Sequence, residues 1–155
     1  MKATELLKQI QENLKDYPIE YLKNKVTDER YKDPITKSLA KYNSEAWDEI
    51  FALNIADDFE IKDGIVENLK NDINFYFDTY AGGDEESREF TKYMSLYLAL
   101  IAKRPLHPVG DNPTKDQVFI QNGEYKCKSR IVSIKDKNSL CRYCVCKNAG
   151  FTVGF

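Results

Sequence analysis

The chain has 155 residues, 42% of them hydrophobic and including ten Tyr and eight Phe, which is enough apolar side chain for one sizeable core. Its formal net charge of −2 lies away from the strongly basic balance of most nucleic-acid-binding domains. The longest unbroken apolar run, Leu96 to Ala102, falls far short of the roughly 20 residues that cross a bilayer, so no membrane span is expected.

The opening stretch, MKATELLKQIQENLK, carries charge throughout and lacks the apolar h-region and small-residue cleavage site of a secretory signal. A cytoplasmic location is the expectation, and thiols there stay reduced. Leu6, Leu7, Ile10 and Leu14 share one helical face, and Leu22 and Val26 continue the pattern after Pro18. Asp33-Pro34 reads as a cap and first helical position, because proline lacks only an amide hydrogen that a first turn leaves unbonded anyway.

From Pro34 the stripe Ile35, Leu39, Tyr42, Ala46, Ile50 and Leu53 predicts one long helix, or two interrupted near Asn43-Ser44. A further helix is marked by Ile65, Leu69, Ile73, Tyr76, Phe77 and Tyr80, with Gly82-Gly83 as its stop. Asp84 then caps a last helix whose first turn holds Glu85 and Glu86 and whose buried face is Phe90, Met94, Tyr97, Leu98 and Ile101. The acidic pairs Asp57-Asp58 and Glu85-Glu86 read as solvated or capping residues, since adjacent helix positions point apart. The aromatic run NFYFDTY reads as core.

At KRPLHPVGDNP, prolines and a glycine replace helical periodicity and the charge changes sign. Residues 1 to 102 hold 13 Lys/Arg against 21 Asp/Glu, and residues 103 to 155 hold 10 against 4. The predicted fold is mainly α: a bundle of about five helices over residues 1–103 and a small β-hairpin and zinc-knuckle appendage over 104–155, packed as one domain. In QVFIQNGEYKC, Asn122-Gly123 is the pair suited to a type I′ hairpin turn, which sets Cys127 at a strand end.

Further on, SLCRYCVCK gathers Cys141, Cys144 and Cys146. The spacing of Cys141 and Cys144 lets both sulfurs reach one tetrahedral ion, and Cys127 supplies a third ligand. For the fourth there are two candidates, His107, the single histidine, and Cys146, whose spacing of one from Cys144 makes joint chelation awkward. His107 is preferred, giving His107, Cys127, Cys141 and Cys144 around zinc. The appendage has few core residues in Val118, Phe119, Ile131, Val132 and Ile134, so a metal would supply stability that its own packing lacks. An iron–sulfur cluster uses the same ligand types. Buried inert cysteines and a redox pair favoured by Arg142 and Lys147 are the competing readings.

HPVG, NGEYKC and LCRYCV, in that order behind a helical region, resemble an uncharacterised protein family of methanogenic archaea, a domain of unknown function. The resemblance implies a cytoplasmic archaeal protein in which His107, Cys127, Cys141 and Cys144 carry the family pattern and Cys146 lies outside it. Asp111-Asn112-Pro113 departs from the glycine-richer loop of that pattern, and no activity comes with the resemblance.

Two function classes follow. One is a binding module, in which Lys126, Lys128, Arg130, Lys135, Lys137, Arg142 and Lys147 meet an anionic protein partner. Nucleic acid, with Tyr125 and Tyr143 stacking on bases, is less favoured because the helical part is acidic. The other class is a metal-dependent enzyme with an open coordination position, in which His107, Asp111 or Glu124 serves as base. No histidine- and carboxylate-rich zinc motif accompanies the cysteines.

Overall fold

The structure is a computed structural model and describes residues 1–81 and 84–149. Five helices precede the expected boundary: α1 (Ala3–Leu14), α2 (Ile19–Thr27), α3 (Pro34–Ala52), α4 (Asp63–Tyr76) and α5 (Glu85–Leu96). After α4 and α5 the backbone winds on without interruption as π-helix, over Phe77–Ala81 and Tyr97–Ala102 respectively. Asp33 caps α3 by accepting from the Ile35 amide, with Pro34 in the first turn, and Asp84 caps α5 by accepting from the Glu86 and Ser87 amides. Asn43-Ser44 does not interrupt α3, and the buried Ser44 hydroxyl donates back to the Lys41 carbonyl. The glycine stop at Gly82-Gly83 lies outside the described residues.

Leu6, Ile10 and Leu14 of α1, Ile50 of α3, Leu69 and Ile73 of α4 and Leu96 of α5 are fully covered and form the centre of the core. α1 and α4 pack on α5, and α2 packs on α3. The sequence stripe is displaced in two helices. In α4 the buried set is Val66, Leu69, Ile73 and Phe77, whereas Ile65, Tyr76 and Tyr80 are exposed. In α3 Ile35 is 77% exposed, whereas Ala40, Ser44, Ala46 and Ile50 form the buried face. The aromatic run is therefore not a core stripe, since Phe75, Tyr76 and Tyr80 all face outward and Phe77 alone of its ring residues is buried.

Beyond Lys103, which closes the last helix in a left-handed conformation (φ 54°), lies the hairpin of β1 (Val118–Gln121) and β2 (Glu124–Cys127). Asn122 and Gly123 both have positive φ, 55° and 76°, as a type I′ turn requires. Val118 pairs with Cys127 across the ladder. A third strand that periodicity did not reveal, β3 (Lys147–Asn148), pairs parallel with β2. A single helical turn, α6 (Arg130–Ser133), and a 3-10 turn (Leu140–Arg142) connect β2 to β3. Among the described residues the fold is thus mainly helical with a small three-stranded C-terminal sheet. Of the expected appendage core, Val118 and Phe119 are buried but Val132 is 69% exposed. No helix in the described residues is long and apolar enough to cross a membrane.

Candidate functional site: a cysteine-lined cavity between bundle and sheet

Three separate segments carry the candidate ligands to one cavity. His107 follows α5, and its approach is fixed where the buried Tyr42 hydroxyl donates to the Pro105 carbonyl at 2.6 Å and Arg104 pairs with Glu49 at 2.9 Å. That Glu49 carboxylate also accepts from the Tyr97 hydroxyl, so α3, the π segment and the chain before His107 share one network. Burial pushes the Tyr42 hydroxyl up to about 12. Gly110 of the HPVG stretch is required sterically: a Cβ there would sit 1.9 Å from Asp116 Oδ2, which accepts from the Asn112 amide.

Cys127 ends β2, where its carbonyl accepts from the Ala149 amide at 3.1 Å and holds the chain beyond β3 against the hairpin. Cys141 lies in the 3-10 turn, which Ser139 caps by accepting from the Cys141 amide, and Cys144 follows it with its amide returning to the Cys141 carbonyl at 3.3 Å. That turn is latched to α4. Asp72 accepts from the Tyr143 hydroxyl at 2.5 Å and from Arg142 at 2.7 Å, and Leu140 and Tyr143 pack on the bundle core. Tyr143 is raised to about 12 by its burial and by this carboxylate. Arg142 therefore neutralises Asp72 rather than activating a thiol, and Tyr143 is engaged within the fold rather than offered to a base.

All four cysteines and His107 line one cavity of about 540 Å³. Its other wall is supplied by α3, by α4 and the π turn after it, and by α5 and its π segment, through Leu39, Tyr76, Phe77, Phe90, Met94 and Leu98. Cys146, which its spacing set outside the preferred ligands, is only 4% exposed and lines the same cavity beside Cys144. The neighbouring Cys146 thiol lowers the Cys144 thiol to about 6 against the opposing effect of burial, with nearby backbone amides and His107 acting in the same sense. Cys146 is correspondingly held protonated. His107 is exposed at the rim, and among the described residues no three His, Cys, Asp or Glu side chains already stand close enough to share a metal ion.

Comparison with known proteins gives the chain a family. The family model described as an uncharacterised protein conserved in archaea, DUF2115, matches residues 2–149. The chain belongs to this family. A relative within reach of the DUF2115 chain is UPF0305 protein MJ0646 of the methanogen Methanocaldococcus jannaschii, 27% identical over 160 residues that span 96% of this chain and 97% of that one. No solved structure matches it. DUF2115 carries no assigned activity, so the chemistry of this member has to be argued from its own cavity.

Proposed function

We propose that this DUF2115 member is a metal-stabilised interaction module in which His107, Cys127, Cys141 and Cys144 hold one zinc ion that fastens residues 104–149 to the helical bundle. The observation that carries the reading is the convergence of the single histidine and every cysteine, from three segments, on one cavity. Thiolates and neutral imidazole are the usual ligands of structural zinc. Metal binding is coupled to folding in small modules, so the ion itself draws ligands from cavity-lining positions into a tetrahedral shell. The closed site leaves the basic surface, with exposed Lys128, Lys135 and Lys137, as the face for an anionic protein partner. Other cations of the appendage are engaged internally, Lys147 with Glu124 and Arg142 with Asp72, which weakens the case for nucleic acid.

Cys146 supports a second reading. With it the cavity offers four cysteines, the ligand set of an iron–sulfur cluster. Elemental analysis with an absorption spectrum, on untagged protein purified without oxygen and without added metal, separates the two. One equivalent of zinc and no visible absorption supports the structural site; iron with sulfide and a broad band near roughly 400 nm replaces it with a cluster. In the zinc case His107→Ala lowers metal affinity and loosens residues 105 to 147 while the helices stay folded. Full zinc occupancy in that variant removes His107 from the ligand set and leaves Cys146 as the fourth ligand.

A further inference from the structure

The cavity is far larger than any single ion. An ion takes about the space of one water, ~30 Å³, against a cavity of about 540 Å³. Small organic ligands occupy pockets of about 300–1,000 Å³ that are mostly apolar with a few placed polar groups. Away from the thiols the wall is mostly apolar, Phe77, Phe90, Met94, Leu98, Val118 and Leu140, with the small polar side chains of Asn43, Thr91 and Ser95 set into it. Phe77 begins one π segment and Leu98 lies in the other, and such segments recur where helices are shaped around functional sites.

The polar end has a sign. Arg130 lines the cavity, and its Nε is covered and without a hydrogen-bond partner among the described residues. Its Nη1 reaches Asn148 Oδ1 only at 3.4 Å, beyond the usual range. No Asp or Glu among the described residues lines the cavity, so this guanidinium has no carboxylate to neutralise it there. A covered charged donor left unbonded is costly, and an oxyanion satisfies it with two parallel N–H bonds. Leu39, Tyr76 and His107 line the cavity and are also exposed, which marks the entrance.

We propose that the cavity binds a small amphipathic organic anion, its oxyanion head on Arg130 and its apolar body along the Phe90, Met94 and Leu98 face of α5 and the π segment beyond it. The site goes beyond the metal reading and does not depend on it. The test titrates the full-length chain with the anionic fluorophore 1-anilinonaphthalene-8-sulfonate and then displaces it with decanoate, with zinc and iron measured on the same sample.

The expected result is saturable one-to-one binding, competitive displacement by decanoate, and a loss of affinity of about 10-fold or more in Arg130→Gln, the scale of a hydrogen bond to a charged group. Met94→Trp, which fills the cavity and leaves Arg130 in place, abolishes the one-to-one phase, and circular dichroism establishes that each variant is folded. Binding that never saturates overturns the proposal, as does affinity unchanged in both folded variants, because the fluorophore is then on exposed surface. Absence of metal with this pattern intact overturns only the zinc reading; one equivalent of zinc without the pattern overturns only the anion site.

Discussion

The two regions of the molecule are held together by different means. In the helical region, residues such as Leu6, Ile10, Leu69 and Ile73 are wholly covered, and each contributes in the range of about 1.5–3 kcal/mol by leaving water. Between residues 106 and 149 the buried hydrophobic residues are Val118, Phe119, Cys146 and Ala149. A region that poor in core is fixed by specific links instead: the type I′ hairpin, the Asp72 latch and the thiol-lined cavity. Hydrophobic burial is distributed and tolerates local loss, whereas these links are few and each can be cut.

Withdrawal of the proposed zinc cuts deepest. A structural ion contributes on the order of 10 kcal/mol to the module that holds it. With a chelator present, amides of β1, β2 and β3 are expected to exchange near their unfolded rates while α1, α4 and α5 keep their protection. Uniform loss of protection across both regions would show that they form one cooperative unit and remove the contrast.

Leu69→Ala acts on the other region. It opens a cavity at a fully buried site and is expected to cost about 2–5 kcal/mol in urea unfolding. Val132→Ala, at a side chain 69% exposed, should stay within about 0.5 kcal/mol. A Val132 effect as large as the Leu69 effect would mean that the appendage has a packed core of its own.

Asp72→Ala tests the joint. It leaves the Tyr143 hydroxyl and Arg142 without their acceptor, a loss expected at about 1–2 kcal/mol because Arg142 is 39% exposed and partly solvated in either state. Exchange should quicken over residues 139–146 with little change in the helices. If instead the urea midpoint falls as far as in Leu69→Ala, the latch belongs to the core.

How much of this was legible follows from the range of each signal. Local chemistry was readable: Asp33-Pro34 and Asp84 are caps because a side chain reaches amides two or three residues on, and Asn122-Gly123 is a turn because its backbone angles are intrinsic to those residues. Which face of a helix is buried depends on what packs against it, so Ile65, Tyr76 and Ile35 were misassigned while Leu69 and Ile73 were not. Strand β3 has two residues and no period to detect. For the site, residue types and the C-x-x-C spacing singled out segments that line one cavity. Spacing argued Cys146 away, because joint chelation with Cys144 is a local question and sharing a cavity with it is a tertiary one. The Asp72 latch and the cavity wall from α5 come from partners far along the chain and left no local trace.

The smallest expected effect is confined to one side chain and separates a thiol with a purpose from an inert one. In metal-free protein the Cys144 thiolate is favoured by the neighbouring Cys146 thiol, so its alkylation rate should rise with a midpoint near 6, below the range of an ordinary thiol. Because the folded value is depressed, the associated stability is fully present above the ordinary value near 9 and is lost as pH falls through about 6. Cys146→Ala removes that thiol, and a bond from a weak S–H donor to a charged thiolate, about 1.5 kcal/mol, corresponds to an upward move of about one unit in that midpoint. Mass spectrometry of the alkylated peptide identifies the residue that reacts. A midpoint unmoved by Cys146→Ala would mean that the amides of this turn and His107 suffice to hold the thiolate, and that Cys146 contributes to the cavity as a buried apolar residue alone.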